Sequence, residues 1–272
     1  MELHSAKNNK FIVFVYEYLG TAFLLYAINM VTLNHYGVFG IILSLFACLL
    51  IAAPITGAHF NPAVTVGIFV CNKTWHEDID MFLITLFAQF FGAFNGCFAS
   101  ALSLASLNEE VARTNFGVPV ADQARLLPNA NSATINVFII EVICTALFVM
   151  INLLVKTRKT SPTNDGFLGC MTVALALLVM ICVSADKSGA CLNPAVGLAQ
   201  TIYQMMACGV HDSVCNPTAP SDLMFKWLWV YLSAPLLGGL LAGIAQRYHL
   251  VGFNEIAVWN GDAENKKSKL YE

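Results

Sequence analysis

Long stretches of this sequence carry no charged side chain, and they restrict its fold more than any other feature. The longest runs from Tyr18 to Asn72, and later ones include the stretch from Leu228 to Gln246. A helix needs roughly 20 apolar residues to cross the hydrocarbon core of a bilayer, where charged groups are costly. Hydrophobic residues make up 57% of the chain and charged residues only 11%, which leaves too little polar surface for a globule in water. The sequence therefore indicates an integral membrane protein.

The same figures exclude an ordinary soluble enzyme and a disordered chain. Lys and Arg total 14 against 17 for Asp and Glu, so the chain lacks the basic surface that binds nucleic acid. The nine cysteines include no CxxC pair, and no zinc-ligand spacing, P-loop or nucleotide fingerprint occurs. We therefore expect no metal and no cofactor. Only Cys208 and Cys215 share a polar loop, and the sequence leaves a disulfide between them open.

Apolar runs of sufficient length predict six full spans. They lie near residues 11–33, 38–54, 82–106, 135–155, 166–184 and 225–248. Two further apolar pieces, 61–71 and 193–207, are too short to cross, and each follows a full span after a brief link. Short pieces of this kind are often re-entrant, with non-helical backbone tolerated only inside protein or beside water. We predict an all-α membrane protein with six transmembrane helices and two re-entrant half-helices.

The two halves of the chain repeat one pattern. Residues 57–64 read GAHFNPAV and residues 189–196 read GACLNPAV, so six of eight positions match. Each half also contains Glu-x-x-x-Thr-Ala, beginning at Glu17 and at Glu141. Because each half holds three spans, an odd number, the second half enters the membrane from the opposite face. This is an inverted repeat, an architecture of transporters and channels.

The repeat divides the chain into five segments. They are a polar N-terminal segment (1–10), a first repeat (11–106), a connecting loop (107–134), a second repeat (135–248) and a charged C-terminal tail (249–272). Both termini then lie on one side of the membrane, together with ten of the 14 basic residues. The positive-inside rule places this side in the cytosol or its equivalent.

The repeated Asn-Pro-Ala motif predicts where each half-helix starts. Asparagine is a preferred N-cap, and proline is preferred at the first helical position. The two starts would meet tip to tip near the midplane, each presenting the positive end of a helix dipole and an amide donor. Such a gap holds a neutral polar molecule, repels cations and interrupts a proton-conducting file of water. The candidate pore residues are Asn61, Pro62, Ala63, Asn193, Pro194 and Ala195.

Glu17 and Glu141 are acids inside predicted spans, and such acids are functional-site candidates. One interpretation is a proton relay. We favour a structural role, in which each carboxylate accepts hydrogen bonds from the bent backbone that leads into a half-helix. For His59 we expect a role in bracing that loop rather than in metal binding.

On these residues the chain resembles the major intrinsic protein family, the aquaporins and aquaglyceroporins. The resemblance covers about residues 11–248. Besides the Asn-Pro-Ala and Glu-x-x-x-Thr elements it rests on Gln89-x-x-Gly92-Ala93, Pro235-x-x-Gly238-Gly239 and Asp186. It implies an aquaporin-like inverted repeat, a separate pore in each protomer and, usually, a tetramer.

The selectivity filter departs from the pattern that the resemblance implies. The family arginine, three residues after the second motif asparagine, is replaced by Val196, and the other filter positions are Ile41, Ile181 and Ala190. None of these side chains donates a hydrogen bond, although stripping water of its partners costs roughly 2–7 kcal/mol per group. Gly197 stands where glycerol channels typically carry aspartate.

We predict a passive channel for water or small uncharged solutes, and no enzyme, because no catalytic constellation is present. Its expected partners are the lipid bilayer, the solute and copies of itself in a homotetramer, or the other subunits of a larger membrane complex. One alternative is a weakly conducting or non-conducting subunit of the same fold with a structural role. A second is a secondary transporter that couples Glu17 and Glu141 to protons, which we disfavour because few other ionisable groups lie at membrane depth.

Overall fold

The computed structural model describes residues 9–31, 37–72, 78–105, 130–210 and 221–259. Within these ranges the chain forms helices and no strands, which confirms the predicted all-α fold class. The helices are α1 (Lys10–Val31), α2 (Gly37–Thr56), α3 (Pro62–Asn72), α4 (Ile79–Ala105), α5 (Ala130–Lys156), α6 (Gly166–Ser188), α7 (Pro194–Val210) and α8 (Ser221–Trp259). Cys208 and Cys215 lie outside the residues whose side chains are described.

Six of these helices, all except α3 and α7, are long and apolar enough to cross a membrane. The half-helix α3 has 11 residues and α7 has 17. At about 1.5 Å per residue neither reaches across a hydrocarbon core of about 30 Å. The described helices therefore match the predicted six spans and two half-helices.

Several helices extend beyond the ends that the apolar runs indicate. Helix α6 continues past Asp186 and Lys187 to Ser188, because helical hydrogen bonding does not require apolar side chains at the membrane edge. It ends at Gly189, which has a φ of 87° and donates its N–H to the carbonyl of Ala185. Helix α8 runs to Trp259, so part of the segment predicted as a charged C-terminal tail is helical.

Equivalent helices of the two halves pack in equivalent ways. Helix α1 packs along α4 and α5 packs along α8, while α3 lies against α8 and α7 against α4. Glycines permit the closest approaches, as small residues do between membrane helices. A Cβ atom placed on Gly96 would lie 2.2 Å from the carbonyl oxygen of Ala22, and one on Gly239 would lie 2.2 Å from that of Ala63.

Polar contacts mark the end of the bundle at which α1 begins, here called the terminal end. Lys10, at the start of α1, forms an ion pair with Asp80 at the start of α4. Arg247 of α8 donates from Nη1 to the carbonyl of Cys71, in the last turn of α3, at 3.2 Å. The half-helix α3 therefore runs from the interior towards the terminal end.

We predict that Gly96→Ala destabilises the protein, because the new methyl group would press on the backbone of α1. Overpacking of this kind typically costs about 1–3 kcal/mol. The melting temperature of the purified protein in detergent should fall by several degrees. Gly252→Ala is the matched control, because a Cβ atom there meets nothing within 4 Å. The packing interpretation is wrong if Gly96→Ala melts at the wild-type temperature or if Gly252→Ala falls equally.

Candidate pore site

The two motif asparagines cap the two half-helices. The side-chain oxygen Oδ1 of Asn61 accepts the N–H of Ala63 at 2.8 Å, and that of Asn193 accepts the N–H of Ala195 at 3.0 Å. Each bond satisfies an amide that would otherwise lack a partner at the helix start. The proline between the capping asparagine and the alanine that donates to it needs no partner, because proline has no N–H.

The same two side chains bond across the repeat. The amide nitrogen Nδ2 of Asn61 donates to the carbonyl of Leu192 at 2.8 Å, and Nδ2 of Asn193 donates to the carbonyl of Phe60 at 2.9 Å. Each asparagine therefore bonds the residue that precedes the other one. Both are buried, with 6% of their surface exposed. These reciprocal bonds bring the N-termini of α3 and α7 tip to tip.

The loops that lead into the half-helices share one unusual backbone. Positive φ angles occur at equivalent positions in both: Gly57, Ala58 and Phe60, and Gly189, Ala190 and Leu192. The left-handed region costs a non-glycine residue roughly 1–2 kcal/mol. The four non-glycine residues adopt it at φ angles between 48° and 52°. An external interaction must therefore hold this backbone in place.

In the first repeat, Glu17 supplies that interaction. Its Oε1 accepts the N–H of His59 at 2.8 Å, and its Oε2 accepts the N–H of Phe60 at 2.7 Å. Gln89 of α4 adds a third hydrogen bond, from Nε2 to Oε2 at 2.8 Å. With 1% of its surface exposed, the carboxylate is enclosed by these donors.

Glu141 repeats the arrangement in the second half with one substitution. Its Oε1 accepts the N–H of Cys191 at 3.0 Å and its Oε2 that of Leu192 at 2.9 Å. The third donor is the hydroxyl of Ser188, at 2.6 Å from Oε1. Both oxygens of each acid are thus engaged by loop backbone, as the structural interpretation of these residues requires.

His59 takes part in the same loop. Its Nδ1 lies 3.2 Å from the hydroxyl of Thr65 in α3, so the ring braces the loop against the half-helix that comes after it. In the part of the chain that the structure describes, no group of three or more potential metal-ligating side chains occurs. The hydrogen bond between His59 and Thr65 is a contact that links the loop to α3.

Three of the four predicted filter residues lie together. Ile41, Ile181 and Ala190 belong to one apolar cluster between α2, α6 and the second re-entrant loop, and Ile181 is 9% exposed. Val196, in the first turn of α7, lies in a different cluster together with Leu25 of α1. Ile41, Ile181 and Ala190 therefore lie together. Val196 instead packs against residues of α1 and α4.

Tyr231 is a residue that sequence reasoning missed. A Cβ atom placed on Gly197 would lie 2.7 Å from Cβ of Tyr231 and 2.8 Å from the sulfur of Cys191. The hydroxyl of Tyr231 donates to the carbonyl of Ser188 at 2.9 Å, which fixes the ring. The space that an aspartate at position 197 would need is therefore filled from α8 and from the loop.

A buried polar cluster also escaped the sequence analysis. Asn29 of α1 donates from Nδ2 to the hydroxyl of Ser100 in α4 at 2.8 Å, and Gln200 of α7 donates from Nε2 to Oδ1 of Asn29 at 2.9 Å. All three side chains are at least nine-tenths buried. Their bonds attach the second half-helix to two helices of the first repeat. Each of these three residues is a polar residue within a predicted apolar segment, and this feature of the sequence could have identified the cluster.

Comparison with known proteins identifies the family and the fold. The family profile described as major intrinsic protein matches residues 2–246. The glycerol uptake facilitator protein of Buchnera aphidicola is 30% identical over 206 residues, which cover 71% of this chain and 73% of that protein. A relative from Arabidopsis thaliana is 27% identical over 203 residues, or 74% of this chain and 57% of the relative's length.

Among solved structures, the aquaglyceroporin from Plasmodium falciparum has the same fold. It superimposes with a TM-score of 0.71 at 20% sequence identity, and the match covers 92% of this chain and all of that one.

We predict that Glu17→Gln and Glu141→Gln each lower the melting temperature in detergent by several degrees. A glutamine presents one acceptor oxygen where the carboxylate has two, so one loop N–H loses its partner, at a cost of about 1–3 kcal/mol. The control is Asp186→Asn, because that exposed acid pairs with Lys187 at the surface, where ion pairs contribute little.

A relay predicts a different outcome for the same variants. If the two glutamine variants melt as the wild type does and abolish a proton flux that the wild type shows, the structural role is wrong and the transporter interpretation holds.

Proposed function

Because the chain belongs to the major intrinsic protein family, a family of channels rather than enzymes, we propose that its pore favours small uncharged solutes over water. The chain is a multi-pass integral membrane protein and a passive channel for water and small solutes, as the sequence predicts. The observation that carries this preference is the apolar cluster of Ile41, Ile181 and Ala190. The reciprocal bonds between the two asparagine-capped helix starts support a pore for neutral molecules.

The electrostatics of the caps favour a neutral solute. Each half-helix start carries the equivalent of roughly half a positive charge, so two facing starts repel a cation. An asparagine amide nitrogen has two N–H groups, and the cross-repeat bond uses one of them. The second N–H of Asn61 and of Asn193 can donate to a solute hydroxyl or to water in the gap.

The aliphatic filter favours solutes that carry carbon over water. A water molecule in a ring formed by Ile41, Ile181 and Ala190 loses hydrogen bonds that no side chain there replaces. A small polyol or amide retains apolar contact with the same ring through its carbon atoms. The relative from Buchnera aphidicola is named for glycerol uptake, and this name supports a polyol as a candidate solute.

Orientation and assembly are further proposals. The predicted topology assigns ten of the 14 basic residues to the side of both termini, and this charge bias supports a cytosolic terminal end. Stripes of exposed apolar side chains run along the outer faces of the helices, for example Ile139 and Ile143 of α5. Such faces contact lipid or another protomer. We propose a homotetramer in the bilayer, with a larger membrane complex as the alternative.

The direct test is light scattering by proteoliposomes in stopped flow, with gradients of water, glycerol and urea. We expect glycerol permeability well above that of empty liposomes and a smaller gain for water. Ile181→His introduces one donor into the filter and should raise water permeability roughly twofold to tenfold, which corresponds to the net value of one hydrogen bond. Val183→His is the matched control, because Val183 is an exposed residue on the same helix.

Two outcomes would contradict the proposal. If the wild type and Ile181→His both match empty liposomes for every solute, the chain does not conduct, and the structural-subunit alternative is pursued through co-purification in mild detergent. If water permeability exceeds that of glycerol and Ile181→His leaves it unchanged, the three residues do not form the filter.

A further inference from the structure

A cavity of about 510 Å³ opens at the terminal end between α2, α5 and α6. Its lining includes Leu49, Val173 and Lys156. Leu49 and Val173 belong to the same apolar cluster as Ala58 of the first re-entrant loop. The cavity therefore lies beside the backbone that leads into α3.

Helix geometry connects this cavity with the filter. Side chains four residues apart form ridges that run obliquely along a helix. The ridge of Ile41 on α2 passes through Leu49 to Ala53, and the ridge of Ile181 on α6 passes through Val173 to Gly169. All four of these later residues line the cavity. If the chain conducts as proposed, this cavity is the opening of the pore at the terminal end. This identification rests on the proposed function.

Lys156 connects the cavity with the re-entrant backbone. It is the last residue of α5, where a cation is favoured by the helix dipole. Its Nζ donates to the carbonyl of Ala58 at 3.3 Å. That carbonyl is held in position because the next N–H along the chain, that of His59, is bonded to Glu17. The ammonium group of this exposed side chain thus lies beside the loop that leads into α3.

We propose that Lys156 acts as a tethered cation that excludes other cations from this mouth of the pore. Backbone carbonyls can replace the hydration shell of a permeating cation, as they do in potassium-selective channels. Here the Ala58 carbonyl already accepts a hydrogen bond from an ammonium group that is covalently attached to the chain. The same charge repels a second cation that approaches through the cavity. Lys156 is thereby a charge-selectivity residue in a channel whose proposed filter, Ile41, Ile181 and Ala190, carries no charge.

Asp165 lines the same cavity and does not cancel this effect. Its Oδ1 accepts the N–H of Phe167 at 2.8 Å, so the carboxylate caps the start of α6. The positive end of that helix dipole offsets part of its charge. Lys156 also lines the cavity, and its ammonium group donates a hydrogen bond to the carbonyl of Ala58 in the re-entrant loop.

The test compares Lys156→Met with Lys156→Arg, and with Lys159→Met as the matched control in the loop after α5. Lys159 does not line the cavity. Proteoliposomes are assayed for uptake of methylammonium, at a pH where nearly all of it is protonated, and for uptake of glycerol. Lys156→Met should raise methylammonium flux roughly thirtyfold, the factor expected for two unit charges about 8 Å apart at an effective dielectric constant near 20. Lys156→Arg and Lys159→Met should keep the wild-type methylammonium flux, and Lys156→Met should still conduct glycerol.

The outcomes separate this proposal from the proposed function. Suppose that Lys156→Met conducts glycerol and its methylammonium flux equals that of the wild type. The role of Lys156 is then wrong, and the proposed function is unaffected. An equal rise in Lys159→Met also overturns it, because the effect would then be a property of surface charge. Absence of glycerol flux from the wild type contradicts the proposed function.

A second variant restores the charge after folding. Lys156→Cys is reconstituted, and a methanethiosulfonate reagent then attaches an aminoethyl group to the new thiol. Methylammonium flux should be high before the reaction and fall after it. The wild type treated in the same way controls for Cys170, which also lines the cavity. Flux that stays unchanged when the charge is added overturns the proposal, even if Lys156→Met fails to fold.

Discussion

Backbone that leaves a helix at membrane depth must find its hydrogen-bond partners inside the protein, because lipid offers none. This chain meets the requirement twice, with one buried carboxylate for each re-entrant loop. Glu17 and Glu141 each accept two consecutive loop N–H groups. Those bonds stabilise the left-handed residues of the loop, and the loop in turn aims each asparagine at the opposite half. The cross-repeat bonds, and with them the pore geometry, therefore depend on two acids that a solute does not need to touch.

The two halves solve the same problem with different third partners, and the difference arises from their surroundings. Gln89 reaches Glu17 from the neighbouring helix α4, whereas Ser188 reaches Glu141 from the end of the helix that enters the loop. Pro235 occupies the place in α8 that corresponds to Gln89 and cannot donate a hydrogen bond. Tyr231, one turn earlier in α8, instead donates to the carbonyl of Ser188. The repeat is therefore symmetric in its backbone and asymmetric in the side chains that support it.

Much of this arrangement could be predicted from the sequence. The cost of charge in lipid indicates the spans, and the capping preferences of asparagine and proline locate the half-helices. Partners that depend on three-dimensional contact could not be predicted in this way. The link between Asn29 and Gln200 joins helices far apart in the chain, and the contact of Tyr231 with Gly197 depends on how closely α8 approaches α7. The position of Val196, three residues after Asn193, predicts that it belongs to the filter. Sequence spacing does not show which side of α7 this residue faces.

The central claim is that Asn61 and Asn193 join the two repeats at a gap that holds a neutral polar molecule. The most direct measurement is a cryo-EM map of the protein in lipid nanodiscs, at a resolution that shows ordered solvent. We predict hydrogen bonds of 2.8 Å from Asn61 to the Leu192 carbonyl and 2.9 Å from Asn193 to the Phe60 carbonyl. We also predict ordered density within hydrogen-bond distance of both amide nitrogens. Asparagines that lie apart near opposite faces of the membrane, or a gap closed by side chains with no such density, would contradict the claim.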